Sequence, residues 1–356
     1  MICGKKYIVL FLLFVFCSAL KSQSSGYTFC DWNKIILINN YSAQEGDTCI
    51  VFASTRNYFP EKEEFFDYDL DTSGTLHYMN VYFNGNKWIC SPKKDLGEAM
   101  AGMVPDKDIV VYGEGMGKDF TANVDRATRF TRLYDVNTIM FDWPTFRPYM
   151  SGGKNYRTAR LQSKKVSRSM VKLFNAVEEQ KQKNKTGSAK ISLILHSLGN
   201  RLIKEAVIND YIDLKEKLFS NIVLNAACVK MRFHKLWLEK LEIQDNLYLT
   251  HNNHDRTLNL ARIAGLSKRL GMHTRWRKAN NATYLNFSKI LSVEHNYFLM
   301  RNVLNEHPGL KEMYADIFHG KKLTFEDSKR YHVRKKGRVI DLIRPPALNA
   351  LANISE

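Results

Sequence analysis

The sequence predicts an α/β fold with a mostly parallel central sheet and helices on both faces. Two observations support this: apolar, β-type runs alternate with helical patterns between about residues 108 and 300, and each run is apolar nearly throughout. Strands covered on both faces have this composition, and regular alternation with helices is typical of a parallel sheet. The predicted strands are 108–113, 137–143, 190–197, 221–227 and 246–251.

The segments between these strands have helical spacing. One example is a set of apolar residues that recur mostly at steps of three and four, Val166, Met170, Leu173, Phe174 and Val177. Upstream, 49–59 and 76–83 have strand patterns with an acidic loop and no helix between them. We therefore expect an antiparallel N-terminal edge that extends the same sheet. The chain after about residue 310 is basic and is expected to be helical or irregular.

The N-terminus has the pattern of a secretory signal. Lys5 and Lys6 precede a continuous apolar run over 7–20, which is too short to span a bilayer comfortably. We expect export to the periplasm or the medium, with cleavage between about Ala19 and Ser24. The alternative is a protein that stays anchored in a membrane through this segment.

The cysteines follow from the predicted export. Loss of the signal leaves four of them, and an oxidising compartment permits disulfides. A pair among Cys30, Cys49 and Cys90 is plausible, whereas Cys228 stands apart, and spacing does not fix the connectivity. No two cysteines have the short spacing of a zinc knuckle, so we predict no metal site.

Charge and composition restrict the classes of function. The chain has 356 residues, 44% apolar and 25% charged, which is typical of a globular protein and not of a disordered one. Its formal net charge is +17, and loss of Lys5, Lys6 and Lys21 lowers this to +14. A basic surface favours anionic partners such as an envelope surface, although solubility and a basic source proteome are the more ordinary explanation. No nucleic-acid-binding motif accompanies the charge, so no nucleic-acid partner is predicted.

The main candidate for chemistry is Ser197. The apolar strand 191–196 runs directly into His196-Ser197-Leu198-Gly199, and a helical pattern follows. A sharp strand-to-helix turn exposes a serine hydroxyl to a base and aims the next backbone N–H at a developing oxyanion. The usual pattern has glycine two residues before the serine, and Leu195 at that place is expected to crowd the turn.

Two later residues are predicted to complete a Ser–His–Asp triad. Asp255 follows a predicted strand and precedes a helical pattern, which suits a carboxylate that orients an imidazole, or else a helix cap. His295 lies at the predicted start of a late amphipathic helix, after an apolar segment. Other candidates fit less well: Asp142 precedes the serine, and the remaining histidines after Asp255 are His273, His307, His319 and His332.

The oxyanion hole is predicted to combine two backbone donors. One is the N–H of Leu198, and the other comes from the glycine-rich run Gly113-Glu114-Gly115 after the strand 108–113. A buried carboxylate beside an oxyanion is unfavourable, so we expect the side chain of Glu114 to point away.

Beyond these residues, the chain resembles an uncharacterised bacterial branch of the α/β-hydrolases, whose nucleophile turn typically reads A-H-S-M-G-N. Five short segments carry the resemblance in the same order as in that branch: 53–56, 141–145, 195–200, 255–258 and 295–298. The resemblance implies an α/β-hydrolase fold with Ser197, Asp255 and His295 as the triad. Two departures stand at the site, Leu195 for a small residue and Tyr112 for the histidine that usually precedes Gly113.

The resulting prediction is an exported serine hydrolase that cleaves a carboxylic ester through an acyl-enzyme, without a cofactor. Its substrate is expected to be a small or lipid-like acyl compound. The alternative is a weak or inactive binding module on the same fold that docks on an anionic envelope component. The expected organisation is a signal peptide over 1–23, an α/β-hydrolase domain over 24–320 and a basic C-terminal extension over 321–356.

Overall fold

The computed structural model describes residues 31–83, 85, 87–273, 277–334 and 338–343. The predicted signal peptide and Cys30 lie outside these residues. A twelve-stranded sheet forms the centre of the described fold, with strand order β1-β6-β5-β2-β8-β7-β9-β10-β11-β12-β14-β13, and β3 and β4 form a small second sheet. The strands are β1 Ile35–Leu37, β2 Thr48–Ser54, β3 Arg56–Tyr58, β4 Phe66–Leu70, β5 His77–Phe83, β6 Trp88–Lys93, β7 Ile109–Gly113, β8 Asn137–Asp142, β9 Ile191–His196, β10 Phe219–Asn225, β11 Gln244–His251, β12 Thr283–Asn286, β13 Tyr331–Arg334 and β14 Val339–Leu342.

The helices of the described residues connect these strands. They are α1 Leu96–Met100, α2 Phe120–Tyr134, α3 Gly152–Gln182, α4 Asn200–Ile208, α5 His234–Leu238, α6 Arg256–Ala264, α7 Arg301–Glu306 and α8 Pro308–Phe318, with 3-10 turns at Trp32–Lys34 and Ser197–Gly199. Two groups pack together, α1 with α3 and α4 in one and α2 with α8 in the other. Within the described residues, no helix combines the length and apolar character needed to cross a membrane.

The central strands explain why the sheet is parallel. Every residue of β7, β8 and β9 is buried, as expected for strands with helices on both faces. The run β2, β8, β7, β9, β10, β11 and β12 is parallel throughout. The α/β fold predicted from the alternation of strands and helices is therefore confirmed.

The N-terminal edge is antiparallel, as predicted, because β5 pairs in that sense with both β2 and β6. The C-terminal stretch differs from the prediction of helical or irregular structure. β14 pairs with β12 in parallel, and β13 pairs with β14 in the opposite sense. The basic residues of β13 are mostly exposed on this outermost strand, which is why the segment lacks an apolar strand pattern.

Candidate active site

Ser197 stands at a strained turn where β9 ends. Its φ is +51°, a left-handed conformation that a serine rarely adopts, and α4 begins three residues later. Asn200 fixes the turn, since its Nδ2 donates to the carbonyl oxygens of Leu195 at 2.8 Å and of Ser197 at 3.0 Å. The N–H of Cys228 donates to the same Ser197 oxygen at 2.9 Å. The sharp turn therefore depends on side-chain and backbone contacts from both sides.

Leu195 does not crowd this turn as the sequence suggested. It is fully buried and lies opposite Gly113 in the register of β9 and β7. A Cβ atom on Gly113 would come within 2.6 Å of Leu195 Cδ2, so the glycine leaves the space that the leucine occupies. The departure from the usual turn pattern is thus compensated on the neighbouring strand.

Asp255 performs both roles that the sequence offered for it. Its Oδ1 accepts the N–H of Leu258 at 2.8 Å, which caps the N-terminus of α6, and its Oδ2 lies 2.6 Å from His295 Nδ1. Asp255 is fully buried. A carboxylate held by a helix end at one oxygen has its other oxygen fixed in direction, which suits the orientation of an imidazole.

His295 lies in a loop rather than at the start of a helix, since α7 begins only at Arg301. Asn252, just after β11, fastens this loop: its Nδ2 donates to the carbonyl oxygens of Ser292 at 2.8 Å and of Glu294 at 3.3 Å. The loop that carries Asp255 and the loop that carries His295 are therefore tied together by more than the dyad.

The His295 ring faces the strand end that carries Ser197. Its centroid lies 4.7 Å from that of the His196 ring, and His295 Nδ1 is engaged by Asp255. His295 Nε2 is buried and has no hydrogen-bond partner among the described residues. An orphaned buried nitrogen is costly, and such groups are often found where a ligand supplies the missing partner. Ser197 and His295 are 7% and 5% exposed, so both side chains are largely shielded from solvent in this conformation.

The glycine-rich loop lies directly against the serine. A Cβ on Gly115 would be 2.7 Å from Ser197 Cβ and 3.1 Å from Leu198 N, so only glycine fits there. The prediction of Gly115 as an oxyanion donor does not hold in this conformation, because its N–H donates to Glu114 Oε1 at 2.7 Å. Gly113 lies inside β7. Leu198 is the second residue of the 3-10 turn Ser197–Gly199, and an N–H in a first helical turn has no acceptor within its own helix.

The side chain of Glu114 is buried among polar side chains. We call this group the site cluster, and its members are Tyr112, Glu114, Arg126, His196 and Asn296. Tyr112 and Arg126 contact Glu114 Oε2, and His196 Nδ1 contacts Oε1. Arg126 Nη2 also donates to Asn296 Oδ1 at 3.3 Å, and His196 Nε2 lies 3.3 Å from the carbonyl oxygen of His295. The cluster therefore touches the residue before Ser197, His295 itself and the residue after it.

The charges of the site cluster follow from burial and proximity. Burial alone would raise the pKa of Glu114, but the charge of Arg126 and the contact with His196 outweigh it and hold that pKa well below its usual range. Burial lowers the pKa of His196 to about 4, despite the opposing influence of Glu114. At neutral pH the carboxylate is thus charged and His196 neutral, with its proton on Nδ1 facing Glu114. His196 Nε2, which faces the His295 carbonyl oxygen, then binds a proton only when the pH falls.

The other candidates lie in other surroundings. Asp142 forms a buried ion pair with Arg56, with 2.8 Å between Oδ2 and Nε. His319 pairs with Asp108, which precedes β7 and so lies at the amino end of the strands. His332 is on β13, beside Asp341. His273 and His307 have no contact with Asp255 among the contacts described.

The described residues add two negative findings. They contain no group of three or more histidine, cysteine or acidic side chains suited to a metal ion. Cys49, Cys90 and Cys228 form no disulfide with one another, so the predicted pairing of Cys49 with Cys90 is not found.

Sequence reasoning missed Arg126 and Asn296. Arg126 lies in a helix rich in charged and polar residues, FTANVDRATRFTRLY, where a solvated arginine is the ordinary interpretation. The weak signal in the sequence was Glu114, the acidic residue of the glycine-rich run, because a buried carboxylate requires a cation as its partner.

The chain was compared with known proteins. No curated protein matches it. Similar solved structures include an arylesterase, 11% identical over 70% of this chain and 83% of that chain, with a TM-score of 0.32. Another is the Pyrococcus furiosus esterase Pf2001, 15% identical over 68% of this chain and 86% of that chain, also with a TM-score of 0.32. With TM-scores this low, neither structure informs the activity of this chain.

A family model gives the stronger result. The model described as alpha/beta hydrolase of unknown function (DUF900) matches residues 91–311. The match begins in β6 and ends in α8, so it includes the strands and loops that carry Ser197, Asp255 and His295. Because it spans more than half of the sequence, the chain belongs to this alpha/beta-hydrolase family.

Proposed function

We propose that the protein is an exported serine hydrolase that cleaves a carboxylic ester through an acyl-enzyme. The observation that carries the proposal is the state of His295, whose Nδ1 is held by a buried carboxylate while its Nε2 is buried without a partner beside the strand end of Ser197. An imidazole oriented in this way can accept a proton at Nε2, which is the role of a general base.

The proposed reaction has two halves. His295 Nε2 takes the proton of Ser197 Oγ, which attacks the acyl carbon, and the Leu198 N–H stabilises the oxyanion. The C–O bond to the alcohol then breaks, and the alcohol leaves with the proton from His295. In the second half, His295 takes a proton from water, the hydroxide attacks the acyl-enzyme, and the proton returns to Ser197 as the acid leaves. Asp255 keeps the imidazole in the tautomer with its proton on Nδ1 throughout.

The fold and the site support a proposal for the chemical class of the substrate only. A Ser–His–Asp mechanism needs no cofactor, and we propose a small or lipid-like acyl ester as its substrate. Export is proposed from the N-terminal segment alone, and the mass of the mature N-terminus distinguishes a cleaved protein from an anchored one.

A binding module is the second candidate, because one specific observation favours it. The Gly115 N–H, which could complete an oxyanion hole, is occupied by Glu114. Loss of one oxyanion donor typically lowers kcat by about 10²–10³-fold. In this case the protein uses its basic surface to dock on an anionic envelope component and turns over slowly or not at all.

The two candidates are separated by covalent labelling. A fluorophosphonate probe is expected to label the folded protein at Ser197, and Ser197→Ala is expected to abolish labelling. Ser188→Ala, on an exposed loop before β9, is the matched control and should label normally. If circular dichroism shows a folded protein and the parent chain is not labelled at neutral pH, the binding module is favoured and the hydrolase proposal fails.

A further inference from the structure

A two-segment ribbon projects beside the candidate active site. Lys230 and Arg269 form an antiparallel bridge, and the Met231 N–H donates to the Lys268 carbonyl oxygen at 2.9 Å. The pairing therefore runs outward along 229–233 on one segment and back along 266–270 on the other. Phe233 and Leu266 lie at the same outer end of the ribbon.

This outer end is apolar and exposed. The exposed fractions are 93% for Leu266, 51% for Phe233, 67% for Leu236 and 40% for Ile263. The Leu236 N–H donates to the Phe233 carbonyl and the Leu266 N–H donates to the Ile263 carbonyl, so each pair spans a single turn, and the ribbon pairing brings the two turns to the same end. We call these four residues the apolar tip. Contiguous exposed apolar side chains are unusual on a soluble surface and mark sites of interaction.

The backbone at the apolar tip is also unusual. Phe233 has a φ of +64° and Leu266 a φ of +47°, a left-handed conformation that large side chains seldom adopt. Folding has thus placed two large apolar residues in strained conformations without burying them. Strain that is retained at a position without packing benefit points to a function of the exposed surface.

Cations predominate around the apolar tip, where the one acidic neighbour in an ion pair among the described residues is Glu239, 3.6 Å from Lys235. Lys230, Arg232 and Lys268 are exposed, and Lys235 and Arg262 are partly exposed. Neither 226–238 nor 256–273 contains an aspartate or glutamate. Apolar side chains that can enter the hydrocarbon boundary, together with lysine and arginine that can face headgroups, match the chemistry of an anionic bilayer surface.

The base of the ribbon adjoins the site. The Cys228 N–H donates to the Ser197 carbonyl at 2.9 Å, and the Gly271 N–H donates to the Ala227 carbonyl at 2.9 Å. Gly271 in turn accepts the N–H of Asn252, the residue that ties the His295 loop. A partner that binds the apolar tip therefore also lies close to the strand ends around Ser197.

We propose that the apolar tip docks the protein on an anionic phospholipid bilayer, with Phe233, Leu236 and Leu266 entering the interface and Lys230, Arg232 and Lys268 facing the headgroups. This docking goes beyond the proposed catalytic function and does not require it. A protein carrying Ser197→Ala is expected to dock as well as the parent, so failure of the enzymatic proposal and failure of docking are distinguishable.

Hydrogen exchange of the full chain locates the contact. On addition of vesicles with equal parts phosphatidylglycerol and phosphatidylcholine, exchange is expected to slow in peptides covering 229–236 and 263–268. Peptides covering 181–185, a basic loop before β9 at the opposite end of the strands, are expected to be unchanged. Unchanged exchange in the ribbon peptides, even if the protein binds vesicles elsewhere, overturns the proposal.

Two matched pairs of variants test the chemistry. The first test variant replaces three ribbon cations by glutamine: Lys230→Gln, Arg232→Gln and Lys268→Gln. It is expected to abolish the slowing of exchange at the ribbon and to weaken vesicle binding about tenfold or more. Its control, with Lys181→Gln, Lys183→Gln and Lys185→Gln, is expected to do neither. Phe233→Ser with Leu266→Ser is compared with Val104→Ser, an exposed valine at the amino end of the strands. Equal losses in test and control variants, or equal slowing with pure phosphatidylcholine, contradict specific docking on an anionic surface.

Discussion

Two fully buried arginine–carboxylate pairs among the described residues differ in what surrounds them. Arg56 grips Asp142 with two nitrogens, at 2.8 and 3.2 Å, and further donates to the carbonyl oxygens of Asp67, Lys118 and Trp143. Arg126 and Glu114 contact residues next to the proposed triad instead. Helix α2 contributes to both pairs. Its Asn123 donates to Asp142, and its Arg126, one turn further on, contacts Glu114.

This difference separates a structural role from a positioning role. The partners of the Arg56 pair lie on β2, β4, β8, helix α2 and the loops that follow β7 and β8, outside the proposed triad, so the pair stabilises the fold. The site cluster holds His196 and Asn296, the neighbours of Ser197 and His295, so we expect it also to fix the relative position of the proposed triad residues. Both pairs are buried, and removal of one partner of a buried pair leaves an uncompensated charge.

The largest effect is expected from Arg126→Gln. It leaves Glu114 charged and buried, which is expected to lower the free energy of unfolding by about 3–5 kcal/mol. It also frees the Asn296 side chain, and a small displacement of catalytic groups can lower kcat by about 100-fold. Urea unfolding measures the first effect and ester hydrolysis by the folded fraction measures the second.

The control for this prediction is Arg126→Lys, which keeps a charge near Glu114 and is expected to recover stability more than kcat. If Arg126→Gln loses stability while kcat of the folded fraction is unchanged, the site cluster has no positioning role and resembles the Arg56 pair.

Arg56→Gln is expected to have a single effect. The buried Asp142 loses its cation, so the free energy of unfolding is again expected to fall by about 3–5 kcal/mol. The partners of Arg56 do not include His196, His295 or Asn296, so kcat and the rate of fluorophosphonate labelling should be unchanged in the folded fraction. A loss of kcat as large as that in Arg126→Gln would abolish the distinction between the two pairs.

Acid is expected to affect the site cluster first, because it contains a histidine and the Arg56 pair does not. Burial lowers the pKa of His196 to about 4, below its value in the unfolded chain, so the folded state binds this proton less readily. The resulting stability is fully present above about pH 6.5 and is lost as pH falls towards 4. At about 1.4 kcal/mol per pKa unit, His196 accounts for about 3 kcal/mol of this loss.

Urea unfolding of the parent and of His196→Gln between pH 7 and pH 4.5 measures this contribution. His234 and His251 are also buried with lowered pKa values, so both proteins are expected to lose stability in acid, the variant less steeply. His332→Gln, which changes a more exposed histidine on β13, is the control. Equal pH dependence in His196→Gln and the parent would show that His196 is not the sensitive group.

The comparison also shows which parts of the site the sequence can predict. The strands around Ser197, Asp255 and His295 have strong apolar patterns, and parallel strands bring the loops at their carboxyl ends to one edge. Those features, together with chain order and the family resemblance, selected Asp255 and His295, whose side chains the structure places in contact. It misplaced the helix after His295, because the apolar spacing of 297–304 continues through a loop before α7 begins.

The site cluster could not be predicted, because it depends on lateral register. Glu114 meets His196 only because β7 pairs with β9 so that Gly113 lies opposite Leu195. Arg126 reaches Glu114 only because α2 packs with one particular rotation. Periodicity determines that α2 has a buried face, but not which charged residue on it finds a partner inside.

The exchange of volume between Leu195 and Gly113 has a consequence for how relatives of this protein are recognised. The two positions belong to different strands, yet they share one volume that accommodates a single large side chain. Sequence signatures that require a glycine two residues before the nucleophile would overlook proteins in which that glycine lies on the neighbouring strand instead. A search that scores the two positions jointly would find them, and the double exchange Leu195→Gly with Gly113→Leu would show how freely evolution can transfer the cavity from one strand to the other.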